Sequence, residues 1–247
     1  MLLLEAIVRG EGKETFRSLV RDLGFSESTA RRIVLTLERQ GLVTRSARGV
    51  YAAGAALVDL AAKVDLQAIL RRSGRPVLRS LAAEFLATAH LAVLEADMAT
   101  YLVREGSGLG LFTREGSQLE AYCSGVGKVL ISSLPAQARE TYLSNGVFVA
   151  LTPHTITDPD KLRATLAKVG EQGFAIDDEE VAEGLYCIAV PVRGRADTTY
   201  AAISLSGPKD QLGAQPFGPV IAALQKAASA IERASGLTRA ATAVLAR

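Results

Sequence analysis

The sequence predicts an α+β chain of two domains: a small N-terminal winged helix-turn-helix, then a linker helix, then a larger α/β domain. Three observations carry that prediction. Residues 24–43 read as a glycine turn, a capped amphipathic helix and a glycine stop. Residues 42–52 read as two short β runs around Ala47-Arg48-Gly49. From His90 onward, strand-like and helix-like segments are mixed along the rest of the chain. The expected division is 1–54 for the winged helix, 55–70 for the linker helix and 71–247 for the second domain.

The first unit closes around three helices. Leu2, Leu3, Leu4, Ile7 and Val8 supply one, and Phe16, Leu19, Val20 and Leu23 give a second with a single apolar face. Gly24 ends the second helix, and Ser26 is placed to cap the third through its hydroxyl. In that third helix Ala30, Ile33, Val34 and Leu37 recur at helical spacing. The other face carries Glu27, Ser28, Thr29, Arg31, Arg32, Thr36 and Arg39. Alone, this would suit any amphipathic surface helix. Behind a short helix and a glycine turn it suits a recognition helix, with short hydroxyls at its start and arginines beside them for a DNA major groove. The hairpin that follows is placed like a wing, with Arg45 and Arg48 on or beside its tip. The residues expected to meet double-stranded operator DNA are therefore Ser26, Ser28, Thr29, Arg31, Arg32, Thr36, Arg45 and Arg48.

Charge and composition bound the function. The 247 residues carry a net charge of only +2, but residues 1–54 hold nine basic against six acidic side chains. Such a surplus gives phosphate binding a moderate salt dependence. Hydrophobic residues make up 49% of the chain, ample for well-filled cores, and the mean hydropathy is +0.21. No apolar run approaches the ~20 residues that span a bilayer, so no membrane role is expected. Met1-Leu2-Leu3-Leu4 is too short for a signal-peptide core and reads as the first helix. Cys123 and Cys187 sit in no close-spaced metal or redox motif, which suits a reduced pair in the cytoplasm. His90 and His154 stand among apolar or Thr/Pro neighbours and read as structural or surface residues, with no metal site.

Beyond Gly54 a stripe of Ala55, Leu57, Val58, Leu60, Ala61, Val64 and Leu66 suits a helix that meets a copy of itself, hence a homodimer. Gly74-Arg75-Pro76 reads as a turn with proline at a helix start. Strands are expected at 91–96, 99–105, 174–176, 187–192 and 200–205. Helices are expected at 127–133, 159–172 and 217–234.

Two phosphate motifs fail on inspection. Gly125-Val126-Gly127-Lys128-Val129 resembles the end of a P-loop, but the first loop glycine would fall at Tyr122 and Val129 replaces the magnesium-holding hydroxyl. Gly106-Ser107-Gly108-Leu109-Gly110-Leu111 lacks the third glycine of a dinucleotide fingerprint. No cofactor is expected. The segment 123–128 remains a glycine-lined helix start, whose free N–H groups suit a small anion or simply serve turning and packing. The acidic run Asp177-Asp178-Glu179-Glu180 reads as a solvated loop, although Asp177 and Cys187 could converge on a cavity.

Taken together, Gly-Phe-Ser-Glu-Ser-Thr-Ala-Arg-Arg at 24–32, Gly-Val-Gly-Lys-Val-Leu at 125–130, Phe-Ala-Ile-Asp-Asp-Glu-Glu at 174–180 and Gly-Leu-Tyr-Cys-Ile-Ala-Val-Pro-Val at 184–192 resemble the IclR family of bacterial transcription regulators. The resemblance spans nearly the whole chain, which begins later than family members with an N-terminal extension. It implies a dimerising linker helix and a GAF-like effector-binding domain, often in a dimer of dimers. It also implies that Gly125 and Val126 offer backbone N–H groups to an acidic effector, with Asp177 and Cys187 in the same pocket. Leu111, Leu119 and Leu185 would be its apolar walls. An anion beside Asp177 meets repulsion unless a proton, hydroxyl or water mediates. That favours a small organic acid bearing a hydroxyl, keto or semialdehyde group. Two other classes compete: a cysteine-dependent enzyme on a GAF-like domain, and a protein–protein adaptor.

Overall fold

The computed structural model describes residues 1–106 and 113–238, which fall into two compact units divided between Leu66 and Gln67.

The first unit contains α1 (Leu2–Arg9), α2 (Phe16–Asp22), α3 (Glu27–Arg39), β1 (Val43–Ala47), β2 (Val50–Ala53) and α4 (Ala56–Ala61). Thr15 caps α2 by accepting from the Ser18 N–H, and Ser26 caps α3 by accepting from the Thr29 N–H. Gly24, with φ +67°, makes the turn between them, a conformation that costs glycine little. Leu3, Ile7, Phe16, Leu19, Val20, Ala30 and Val34 close the core. β1 and β2 pair antiparallel, with Ala47 opposite Val50, so Arg48 and Gly49 form the hairpin tip. The Phe16 N–H donates to the Gly49 carbonyl, tying the wing to α2. A Cβ added to Gly54 would fall 2.0 Å from the Gly41 carbonyl oxygen, so two backbones touch there.

The second unit begins with α5 (Leu66–Phe85), then β3 (Thr88–Glu95), β4 (Met98–Glu105), β5 (Gln118–Glu120), α6 (Gly125–Ser132), α7 (Ala136–Asn145), α8 (Pro159–Gln172), β6 (Ala175–Asp178), β7 (Leu185–Arg193), β8 (Thr199–Pro208), α9 (Lys209–Leu212) and α10 (Phe217–Ala234). One antiparallel sheet runs β5-β4-β3-β8-β7-β6. Ile188, Leu205 and Ala89 lie abreast on one face, Val190, Ile203 and Leu91 on the same face two residues along. On the opposite face the alanines Ala92, Ala175, Ala189 and Ala202 are buried against Val126, Val129 and Leu130 of α6. Small side chains there let the helix lie close to the sheet.

Two expectations need correction. Gly74-Arg75-Pro76 is no turn: α5 runs through it with Pro76 inside the helix. Gly74 serves packing instead, since a Cβ there would sit 2.8 Å from the Leu91 side chain of β3. The helical stretch expected over 55–70 is likewise two pieces, α4 and the start of α5. Asp65 stands just before the second, where an aspartate favours a new helix start. The helix α7 was not expected. Its only buried residues are the neighbours Tyr142 and Leu143, which make no helical stripe.

Candidate functional site

On the first unit, Ser26, Ser28, Thr29, Arg31, Arg32, Thr36, Arg45 and Arg48 are all exposed. The Ser26 hydroxyl lies 2.9 Å from that of Thr29 and 3.2 Å from that of Ser28, so the three hydroxyls form one cluster at the α3 start. Arg31 is held one turn on by Glu27 at 2.8 Å, a weak solvent-screened surface pair that a phosphate can displace. The Thr36 hydroxyl donates to the Arg32 carbonyl. Leu35 is 49% exposed among these polar residues, a feature that apolar periodicity does not reveal.

The second unit holds a small cavity of about 20 Å³. Leu119, Gly125, Asp177, Leu185 and Cys187 line it together, although they come from four separate stretches of sequence. Val126 is buried beside them, its side chain in the core under α6. Leu111 falls outside the described residues. The Ser124 hydroxyl caps α6 by accepting from the Gly127 N–H at 3.2 Å. Helix geometry then leaves the N–H groups of Gly125 and Val126 without an intrahelical acceptor. They sit at the positive end of the α6 dipole.

Each glycine here has a different reason. A Cβ on Gly127 would fall 2.2 Å from the Ala121 carbonyl oxygen, so α6 starts in backbone contact with the preceding turn. A Cβ on Gly125 would meet Cys187 Sγ at 3.1 Å and Ala189 Cβ at 3.4 Å, so this glycine brings the helix start onto β7.

The acidic run is not the solvated loop expected from its composition. Asp177 is in β6 and 2% exposed, and one carboxylate oxygen accepts from the N–H groups of Glu180 (2.8 Å) and Val181 (3.3 Å). Burial pushes its carboxyl up to about 7, against the opposing pull of Lys128 and those two N–H groups. Lys128, read in the sequence only as a failed P-loop lysine, is buried and ion-paired with buried Glu180. Burial raises the Glu180 carboxyl too. One lysine faces two carboxyls, so the trio is neutral when Asp177 keeps its proton. Burial also pushes both thiols, Cys123 and Cys187, up to about 12. Neither is a thiolate at neutral pH.

The sequence reading missed His90, Tyr101, Thr113 and Ser206, which also line the cavity. Their signal was the alternation of β3, β4 and β8, which puts polar residues on a face that is otherwise alanine. Cross-strand register sets Asp177 opposite Cys187, Cys187 opposite Ser206 and Ser206 opposite Thr88. The face facing α6 thus becomes polar at one end. Among the described residues no group of three or more His, Cys, Asp or Glu could hold a metal ion.

Residues 62–233 match the family description "Bacterial transcriptional regulator IclR C-terminal", and residues 1–47 match "IclR helix-turn-helix domain". The chain belongs to the IclR family. Among its relatives, the HTH-type regulator KdgR of Escherichia coli is 30% identical over 238 residues, covering 95% of this chain and 90% of that protein. The crystal structure of Thermotoga maritima IclR superimposes with a TM-score of 0.63 at 24% identity, over 95% of this chain and 96% of the other, which shows the shared fold. An IclR homologue of Microbacterium hydrocarbonoxydans, solved in complex with 4-hydroxybenzoate, gives a TM-score of 0.64 at 25% identity over 95% and 96% of the two chains. This IclR-type protein is accordingly a DNA-binding transcriptional regulator with a helix-turn-helix unit and a C-terminal effector domain. No helix among its described residues is long and apolar enough to cross a membrane.

Proposed function

We propose that this IclR-family regulator binds its operator through the α3 face and wing, and that a small organic acid in the second unit modulates that binding. The observation that carries the effector half is the meeting of Gly125, Asp177 and Cys187 around one buried cavity. The unshared N–H groups of Gly125 and Val126 receive the acid's carboxylate. Asp177, in its protonated form, donates to the acid or to a neighbouring hydroxyl or carbonyl oxygen, which favours hydroxy, keto and semialdehyde acids over bare ones. Leu119 and Leu185 supply apolar walls, and Cys187 lines the site as a neutral thiol. Two copies of the chain, joined through the exposed apolar residues of α4, present two recognition helices to paired half-sites, in a dimer or a dimer of dimers. The effector acts by binding one arrangement of the copies more tightly than another.

A gel shift on the DNA upstream of the protein's own gene, repeated across salt and with a panel of such acids, tests the proposal. Arg31→Ala and Arg32→Ala are expected to weaken binding, each phosphate contact lowering the salt slope by about one. Unchanged affinity in both variants would remove α3 as the recognition helix. Thermal shifts caused only by unsubstituted acids would reject the effector class. A cysteine-dependent enzyme would need a reactive thiolate, and burial works against one at both cysteines.

A further inference from the structure

His90 is 2% exposed and lines the cavity at the β3 side, away from the start of α6. Its Nε2 lies 2.9 Å from the Thr113 hydroxyl, and its ring packs against Tyr101 with centroids 4.9 Å apart, so its orientation is fixed from two sides. Its Nδ1 is buried with no hydrogen-bond partner. The Thr88 hydroxyl, two residues away on the same face of β3, is also buried and unpartnered. A buried polar atom left unpaired is costly, and one on a side chain that lines a cavity marks a place prepared for a ligand atom.

Position says which ligand atom. Gly125 lies against Cys187 of β7, which puts the carboxylate-receiving N–H groups above that strand. From β7 the sheet runs through β8 to β3, two strand spacings or about 10 Å away. Allowing a hydrogen bond of about 3 Å at the far end leaves roughly 5–7 Å between the acid carbon and a second polar atom. A hydroxyl fits best, because it can donate to or accept from the imidazole whichever nitrogen carries the hydrogen that Thr113 shares.

We infer that His90, supported by Thr113, reads a distal hydroxyl on the effector, so that the effector class is a compact hydroxylated carboxylic acid with its hydroxyl at the end opposite the carboxylate. This rests on the acid-binding reading above and adds the identity of the far end. A site built to pair with a hydroxyl discriminates strongly against the analogue that lacks it, since the buried partner then stays unpaired.

The test is titration calorimetry on the full chain with two acid pairs, each differing by one hydroxyl: 4-hydroxybenzoate with benzoate, and 5-hydroxypentanoate with pentanoate. Wild type should prefer the hydroxylated member of at least one pair by roughly tenfold or more. His90→Leu should bring that ratio close to one, and His90→Gln, which keeps a donor and an acceptor, should restore part of it. Thr113→Val, which removes only the supporting hydroxyl, gives a second reading should His90→Leu fold poorly, and is expected to lower the ratio. A ratio near one in wild type, or a ratio that survives His90→Leu or, where that variant does not fold, Thr113→Val, overturns the role of His90 and leaves the acid site standing. Failure of all four acids to bind overturns the acid site itself, and this inference with it.

Discussion

Lys128 of α6 and Glu180 of the turn after β6 form an ion pair closed off from solvent, with side chains 1% and 8% exposed. The pair fastens the helix start of the cavity to the turn that caps Asp177. Removing one partner leaves a buried charge unanswered, so Lys128→Met should destabilise the second unit by about 3–5 kcal/mol. Thermal denaturation will show this as a lowered melting temperature. Lys128→Met combined with Glu180→Gln should recover part of the loss, because no lone charge remains.

Asp177 sets a pH dependence whose sign follows from its raised carboxyl. The folded-state value, about 7, lies above the ordinary 3.8. The folded protein therefore holds a proton that the unfolded chain has released, and this contribution fades as pH rises from about 4 to 7. Asp177→Asn, which can still accept from Glu180 and Val181, should gain melting temperature relative to wild type across that window and then level off. Anion affinity should fall in wild type as pH rises above about 7, roughly tenfold per pH unit if one proton is taken up. A flat difference between the two proteins from pH 5 to 8 contradicts the assignment.

The two glycines of the α6 start should separate fold from binding. Gly127→Ala places a Cβ against the Ala121 backbone, where nothing flexible can yield, and should lower stability sharply or prevent folding. Gly125→Ala meets Cys187 and Ala189 side chains at ordinary to tight distances. It should fold with a modest loss and bind acids weakly, because the new methyl stands beside the N–H groups. Circular dichroism and calorimetry on both variants decide this.

Native thiol labelling at neutral pH should be slow at both cysteines and become complete only on unfolding, since burial keeps each thiol protonated and covered. Rapid modification of Cys187 in the folded protein would revive the enzymatic alternative.

Val58, Leu60 and Val64 are 70%, 55% and 57% exposed within the single chain. If the proposed homodimer forms through α4, Val58→Glu with Leu60→Glu should shift it to monomer in light scattering, with little effect on monomer stability because these side chains leave no core.

The sequence was most legible where one residue pattern had one structural use. Ser26 as a cap, the Ala30–Leu37 stripe and the Arg48-Gly49 tip each follow from local chemistry, and α3 and the wing occur where that chemistry puts them. The sheet was legible as strands, but its polar end was not. Thr88, His90 and Ser206 matter only because β3 and β8 align them with Cys187, and alignment between strands more than a hundred residues apart leaves no mark on local composition. Lys128 and the run 177–180 misled for a related reason: charges usually face water, and these two segments neutralise each other only after folding. Gly74-Arg75-Pro76 carries the residues of a turn, and the Leu91 side chain that makes Gly74 necessary lies on another element.

The backbone contact between Gly41 and Gly54 fixes where this head can be exchanged for another. A graft cut anywhere from 41 to 54 would pair one parent's helix end with the other's strand exit, and any side chain at that crossing would force the hairpin off α3. Recognition specificity is therefore portable only as a cassette severed beyond Gly54, with its hairpin carried whole.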